Sequence, residues 1–345
     1  MHALSTVGAA TGRTRWLGSA WGMLLVALLA GCSGGTGATP TGTAVPAPPP
    51  SAAPSTSAPG SPGADAGARP PGPVACSVSA PVGSVPVVTA GAVVCLTGDS
   101  DAPLMIRTGG TDGAPVTYTG GGTSTVRGIV ITASNVVVQG FVSKDGDSMG
   151  AKLLGNNITF QDNVIEHPQN SGDDTDGLRF FGNGIQIVHN TISDISDGSD
   201  CSSNGCGDGP HPDCMQTFYS DQYPTSSTIT IRANRCENAA AQCLMAEGPS
   251  LPNEGIDGPG QSAQWTFDDN YCKAGAAQAL MIKNIKNVTI TNNDFDGTNH
   301  KAIALADAST GAHVGDNRLN PRIKKLITFD DDTVSAGYVG PPPAQ

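Results

Sequence analysis

One short phrase recurs along the chain and constrains the fold more than any other feature. It begins with alternating strand-like residues, passes through a polar residue to an Asn, and returns to a core-type residue two places later. Successive Asn positions are 27, 44, 36, 23 and 24 residues apart, so the basic period is about two dozen residues with two insertions. Such a period is typical of stacked repeats, in which each unit buries its apolar face on its neighbours. The Asn residues are Asn163, Asn190, Asn234, Asn270, Asn293 and Asn317.

The residues around each Asn predict strands rather than helices. β-branched and aromatic residues recur at period two, as in Ile185-Gln186-Ile187-Val188, without helical spacing. We expect each Asn to adopt the left-handed conformation at a turn and to hydrogen-bond the Asn residues of the coils above and below. The sequence therefore predicts an all-β fold, a parallel β-helix of about seven to nine coils with an Asn ladder. The alternative is a β-sandwich whose turn Asn residues coincide by chance.

The first 32 residues carry an export signal. Arg13 and Arg15 precede an apolar run over 21–30, which is too short to span a bilayer as a mature helix. The sequence Leu29-Ala30-Gly31-Cys32 resembles the lipobox of bacterial lipoproteins. That resemblance implies a lipoprotein signal peptide over 1–31, lipidation of Cys32, and anchoring to the outer face of the bacterial cell membrane. The alternative is an ordinary cleaved signal with a spare cysteine.

Composition divides the rest of the chain. Residues 32–73 comprise the lipidated Cys32 and a tract of Gly, Ala, Pro, Ser and Thr, which predicts a disordered tether. Residues 74–330 form the predicted β-helix domain, and 331–345 a disordered tail. The net charge of −12 argues against nucleic acid as a partner. We expect a monomer that meets the membrane only through the lipid on Cys32.

The eight remaining cysteines are an even number in an exported chain, which favours disulfides. Two pairs occupy equivalent places in adjacent repeats, and adjacent strands lie about 4.8 Å apart, within the Cα separation that a disulfide accepts. Vertical stacking sets the Cβ atoms somewhat far apart, so strained bonds or free buried thiols stay open as alternatives. The predicted pairs are Cys214–Cys243 and Cys236–Cys272 by register, and Cys76–Cys95 and Cys201–Cys206 by elimination.

The strands that open successive coils present one face to solvent. By alternation, Leu178, Met215, Leu244, Leu280 and Ile303 point inward. Two insertions, 193–212 and 248–262, enter the stack around this strand column, and long loops on one side of a solenoid usually build its binding face. The outward residues are Arg179 and Gln216, then Phe181, Phe218, Glu247 and Lys283, with His211 and Asp213 before the second strand.

The phrase His211-x-Asp213-x-x-Gln216, together with the ladder, resembles the pectate lyase-like superfamily of right-handed parallel β-helix proteins over roughly residues 90–320. The resemblance implies a polysaccharide substrate and cleavage of uronate-containing glycan by β-elimination. Lys283 or His211 would then be the base and Arg179 the partner of the uronate carboxylate. Substrate would contact Gln216, Phe181 and Phe218. Ca²⁺ is the one cofactor expected, bound by Asp173, Asp174 and Asp176.

Each of these assignments has a plainer alternative. Lys283 and Glu247 can form an ordinary surface ion pair, His211 and Asp213 can cap a turn, and the Asp cluster can be a solvated loop. Phe181 and Phe218 can stack on sugar, or one ring can turn inward at the corner. An inverting glycoside hydrolase would instead use Asp213 and Glu247 as paired carboxylates. A non-catalytic surface protein that binds glycan is the third hypothesis, because fold alone does not decide function.

Overall fold

The computed structural model describes residues 63, 66–70, 72, 74–169, 175–196, 211–220, 222–249, 262–330 and 332–344. Within them lie 25 strands and one short 3₁₀ helix, Asp332–Ser335. The strands are β1 Val78–Pro81, β2 Val93–Thr97, β3 Leu104–Ile106, β4 Val116–Val126, β5 Ile129–Ile131, β6 Val136–Lys144, β7 Met149–Leu154, β8 Ile158–Gln161, β9 Val164–Glu166, β10 Asp176–Phe181, β11 Gln186–Val188, β12 Thr191–Ser193, β13 Met215–Phe218, β14 Ile229–Arg232, β15 Arg235–Ala239, β16 Leu244–Glu247, β17 Ala263–Asp268, β18 Tyr271–Ala274, β19 Gln278–Lys283, β20 Lys286–Thr291, β21 Asp294–Phe295, β22 Lys301–Ala306, β23 His313–Gly315, β24 Arg318–Leu319 and β25 Lys325–Phe329.

In the described part of the chain, these strands form two parallel sheets that the backbone visits in turn. The groove sheet has nine strands in the order β25-β22-β19-β16-β13-β10-β7-β5-β3. The ladder sheet has sixteen strands and two arms, because β6 pairs with β8 along its first half and with β9 along its second. Each coil therefore crosses the groove sheet once and each arm of the ladder sheet once. This is the predicted parallel β-helix.

The core is a set of apolar columns between the sheets. Leu178, Met215 and Leu244 are register partners on the groove sheet and are fully buried, as their alternation predicted. The first arm of the ladder sheet contributes a column that faces the groove sheet and includes the buried register partners Phe160, Ile187 and Ile231. Inward side chains stack on their equivalents in the next coil and face the opposite sheet of their own coil, so neighbouring coils complete the cover of each coil's apolar surface.

The Asn ladder lies at the bend between the two arms. Asn234 shows the pattern: its Oδ1 accepts from the backbone N–H of Asn190 at 2.9 Å, and its Nδ2 donates to the Ile187 carbonyl at 2.8 Å and to Asn270 Oδ1 at 3.1 Å. The prediction of a ladder is confirmed. The left-handed conformation, however, belongs to the preceding residue, such as Ala233 at φ 53°, and the ladder Asn is not in it. The preceding residue makes the turn, which leaves the Asn side chain directed inward to bond the buried backbone.

Two of the cysteine pairs in the described residues bridge the core, and one lies near the surface. Cys76–Cys95 is confirmed. The two register-based pairs are wrong: the bonds are Cys214–Cys236 and Cys243–Cys272, with Cα separations of 6.1 and 5.8 Å. Stacked residues such as Cys236 and Cys272 project in the same direction, whereas each faces a cysteine on the other sheet of its own coil. The predicted Cys201–Cys206 pair lies outside the described residues, as does Cys32.

A segment of the predicted tether contacts the β-helix along the bend. The strap, defined as residues 63 and 66–70, crosses several coils. Gly67 N–H donates to the Ala233 carbonyl at 2.9 Å, Ala68 N–H to Thr191 Oγ1 at 2.9 Å, and Gly63 N–H to Asp269 at 2.9 Å. The expectation of a flexible tether as far as residue 73 is therefore wrong for the strap.

The chain end also packs, contrary to the prediction of a disordered tail. Val334 is fully buried, and Tyr338 meets the ring of Phe329 edge-on at 4.9 Å between centroids. Val339 N–H bonds the Ala312 carbonyl, and Ala344 N–H bonds that of Ile327. These residues cover the last coil, where an open strand edge would otherwise be exposed. The described residues contain no helix with the length and apolar character that a bilayer span requires.

Candidate functional site

The outward face of the groove sheet brings together side chains from four coils. Arg179 is the register partner of Gln216, and Gln216 of Met245, which in turn pairs with Met281. Two residues further along the strands, Phe218, Glu247 and Lys283 form the next column. The parallel register thus aligns chemically different residues at about 4.8 Å intervals.

A groove of about 450 Å³ opens on this face. Half-buried Met245 and Met281 form its apolar floor, and Glu247 and Lys283 lie at one end. His211 and the amide groups lie toward the other end. Gln242 and Gln278 continue the column of Asp213, and this column lies five residues before the column that contains Glu247 and Lys283. The groove residues are His211, Gln216, Phe218, Gln242, Met245, Glu247, Gln278, Met281 and Lys283.

Two fully buried carboxylates organise the amide end of the groove. Asp176 accepts the backbone N–H of Asp213 at 3.0 Å with one oxygen and pairs with Arg179 Nε through the other. Asp213 accepts the backbone N–H of Gln242 at 2.6 Å and the side-chain Nε2 of Gln216 at 3.4 Å. Each carboxylate therefore ties its own coil to the next one. The side chain of Arg179 is only 14% exposed, so its ion pair is largely withdrawn from water.

Lys283 and Glu247 form an ion pair at the other end of the groove. Lys283 Nζ lies 2.8 Å from Glu247 Oε1, and both side chains are about one-third exposed. The hydrogen bond to Glu247 raises the pKa of Lys283 above that of a free lysine. Lys283 therefore stays protonated at neutral pH, which is the wrong state for a base. The surface-pair alternative describes this contact.

An aromatic cluster borders the groove. Tyr223 stacks on Phe181 with 4.2 Å between ring centroids, and Phe218 meets Phe181 edge-on at 5.2 Å. Phe181 is fully buried beneath these rings, so the prediction that it stacks on sugar is wrong. Phe218 is half-buried and lines the groove, and the Arg179 guanidinium lies 5.8 Å from its ring.

The predicted Ca²⁺ ligands do not meet in the described residues. Asp173 and Asp174 lie outside them, and both oxygens of Asp176 already bond Asp213 and Arg179. Across the described ranges, no three His, Cys, Asp or Glu side chains are grouped as a metal site would require. Ca²⁺ stays a prediction that rests on Asp173 and Asp174.

The register separates the two carboxylates of the hydrolase hypothesis. Glu247 pairs with Phe218, whereas Asp213 lies two residues before Met215 on the same strand. The three steps from Met215 to Phe218 alone cover about 10 Å. Inverting glycosidases hold their carboxyl groups about 6.5–9.5 Å apart. Both oxygens of Asp213 also accept hydrogen bonds within the fold. The geometry therefore disfavours this pair.

Sequence reasoning missed several residues that line or border the groove. Met245 and Met281 follow from the same alternation that located Gln216, so the signal was present. Gln242 is harder to find, because it precedes Cys243 at a corner where simple alternation breaks down. Tyr223 carried no sequence signal. It lies in a connection between β13 and β14 that folds back, so that its hydroxyl accepts from Lys152 at 2.7 Å.

Comparison with known proteins adds a fold-level likeness. No protein-family model matches the sequence, and neither does any curated protein. The chain is similar to the PL6 family alginate lyase AlyGC, with 13% identity, a TM-score of 0.46, and coverage of 67% of this chain and 32% of that one. It is also similar to a mannuronic acid-specific family 6 polysaccharide lyase from human gut microbiota, with 12% identity, a TM-score of 0.45, and coverage of 70% of this chain and 62% of that one. The chain thus spans about a third and about three-fifths of these proteins, and such similarity concerns the fold alone.

Proposed function

We propose that the protein binds a polysaccharide in the groove and acts on it as a lyase, with His211 as the base. The observation that carries this proposal is the groove itself, an open channel with a thioether floor, amide walls and an imidazole at one end. Methionine side chains present an adaptable, polarizable apolar surface to the C–H face of a sugar ring, while amides bond its hydroxyl groups.

The chemistry requires a base and a nearby positive charge. The base removes the proton on the carbon next to the uronate carboxylate. The freed electron pair forms a double bond to the neighbouring carbon, and the bond to the glycosidic oxygen breaks. The departing oxygen takes up a proton from water and leaves as a hydroxyl group. Lys283 does not suit this role, because Glu247 holds it protonated, and His211 is the other basic side chain that the sequence offered. Arg179, positioned by Asp176 beside Phe218, is the cation at the groove margin.

A non-catalytic glycan-binding protein is the second candidate. One observation favours it: Arg179 and Lys283 each already face a carboxylate, which reduces the positive charge left for a uronate. On either account, the disulfides of the described residues fit an exported protein. We propose lipid attachment at Cys32 as the means by which it stays at the cell surface.

A glycan panel, with and without Ca²⁺, separates the candidates. The purified protein is assayed for binding, for the ultraviolet absorbance of an unsaturated product, and for new reducing ends. The lyase proposal predicts unsaturated product, and a loss of at least about 100-fold in rate for His211→Ala with binding retained. The matched control is His313→Ala, on the exposed face of the ladder sheet.

The other outcomes are equally informative. Binding without unsaturated product and without new reducing ends would favour the non-catalytic glycan-binding protein. Reducing ends without unsaturation would restore hydrolysis despite the register. Absence of binding to every uronate and neutral polymer would overturn the proposal as a whole.

A further inference from the structure

We propose that the side-chain oxygens of Gln216 and Gln242 form an acceptor-only subsite that binds two hydroxyl groups of one sugar ring. This inference rests on the proposed function, because it assumes that the groove holds a polysaccharide. It goes further by naming the part of the sugar that the groove reads and the modification that would block it.

Both oxygens lack a partner within the described residues. Gln216 is 7% exposed and Gln242 is 8% exposed, and both side chains line the groove. Gln216 Oε1 and Gln242 Oε1 are buried and accept no hydrogen bond from the described residues. Buried acceptors are normally satisfied, because leaving one unbonded costs stability. Two such atoms beside one groove point to a ligand that supplies the missing donors.

Asp213 fixes the orientation of the Gln216 side-chain amide. The amide group of a glutamine can be turned over, exchanging oxygen and nitrogen. Here Gln216 Nε2 lies 3.4 Å from Asp213 Oδ2, and a carboxylate oxygen accepts from an N–H but repels a carbonyl oxygen. The nitrogen must therefore face Asp213, which leaves Oε1 as the amide atom without a partner in the described residues. We infer that Asp213 is a positioning residue.

The same carboxylate places the second amide. Asp213 Oδ1 accepts the Gln242 backbone N–H at 2.6 Å and so sets the height of Gln242 relative to the coil below. Gln216, three residues beyond Asp213, reaches back along the strand to the same carboxylate. Asp213 therefore bonds the side-chain amide of Gln216 in its own coil and the backbone of Gln242 in the next coil.

Two fixed acceptors select hydroxyl donors. A carboxylate or an ester oxygen has no proton to give, so either would face these oxygens unfavourably. Neighbouring hydroxyl groups of a sugar ring supply two donors at once, while the ring's C–H face contacts Met245. O-acetylation replaces each O–H by an ester, which removes the donors and adds bulk.

The test compares one glycan before and after chemical O-acetylation. The probe is the panel glycan that binds most tightly, and binding is measured by calorimetry. The protein is expected to bind the acetylated form at least about tenfold more weakly, since buried acceptors would stay unpaired. Gln216→Met, which keeps the side-chain length, should weaken binding of the free glycan and reduce this discrimination. Gln186→Met on the exposed ladder sheet is the matched control.

A role in positioning is tested separately. Asp213→Asn lets the Gln216 amide turn over, so the ratio of the affinity for the free glycan to that for the acetylated glycan should fall. The unfolding midpoint of this variant is measured in parallel. If Gln216→Met fails to fold, Gln242→Met serves as the second variant. The comparison of free with acetylated glycan is also made on the unaltered protein, which needs no substitution. Equal binding of both glycan forms by the unaltered protein would overturn the inference while leaving the groove a glycan site. Absence of all glycan binding would overturn both.

Discussion

Removing one rung of the Asn ladder tests how the coils are held together. Asn234 is 1% exposed and lies in the middle of the ladder. In Asn234→Ala, the Asn190 backbone N–H loses the acceptor that Asn234 Oδ1 provided, and the Ile187 carbonyl loses the donor Nδ2. A buried polar group left unpaired costs about 1–3 kcal/mol, so two of them cost roughly 2–6 kcal/mol of unfolding free energy.

The assay is equilibrium unfolding in urea, and Asn317→Ala is the matched control. Asn317 ends the ladder and is only half-buried, so water can replace its hydrogen bonds. We expect a loss of about 1 kcal/mol or less for this control. If Asn234→Ala lost no more stability than Asn317→Ala, the ladder would not be a main source of cohesion between coils.

Three further predictions follow from the disulfides, the strap and the ion pair. Peptide mapping without reduction should recover Cys214 linked to Cys236, and the double Ser variant should lose about 3 kcal/mol of unfolding free energy; a Cys214–Cys243 peptide would contradict the structure. Gly67→Val places a Cβ within 3.0 Å of Thr191 Oγ1, so protease cleavage around the strap should accelerate by about tenfold, while Gly72→Val, which meets nothing, should not change it. Because the hydrogen bond to Glu247 raises the pKa of Lys283, the pair stabilises the fold below the free lysine value of about 10.4 and is lost as the pH rises through the higher folded value. Lys283→Met should therefore flatten the alkaline fall of the unfolding midpoint, and an unchanged fall would contradict this assignment.

The stack could be predicted from the sequence because its cause is local and repeated. Each ladder Asn follows a strand and precedes a core residue, and the same phrase recurs at each coil. The inward column of Leu178, Met215 and Leu244 follows from alternation alone. Their outward neighbours, including Gln216 and Lys283, could be placed in register for the same reason.

Contacts across the core were not accessible by the same reasoning. In each coil, the residue at the corner of the groove sheet faces a residue on the second arm of the ladder sheet. Gly177 lies against the larger Ile192 in one coil, and Cys214 bonds Cys236 in the next. Register aligns residues within a column, but it does not say which columns face each other. That is why the stacked cysteine pairs were wrong.

The strap escaped prediction because composition describes a tendency and not a particular contact. Residues 63 and 66–70 are Gly, Ala, Arg and Pro, without apolar periodicity. The Gly and Ala residues of the strap are small enough for the backbone to approach the bend, where Gly63 and Gly67 are buried, whereas Arg69 and Pro70 are exposed. Backbone hydrogen bonds, which carry no sequence signal, then fix the segment.

The most direct test of a glycan site in the groove is to block the groove and measure glycan binding. Met245→Arg places a long charged side chain on the groove floor, and Thr266→Arg places the same side chain on the outward face of the ladder sheet. We predict that Met245→Arg abolishes binding of the panel glycan in calorimetry, with an unfolding midpoint close to that of the unaltered protein, and that Thr266→Arg binds normally. Full binding by a folded Met245→Arg variant would contradict the placement of the glycan site in this groove.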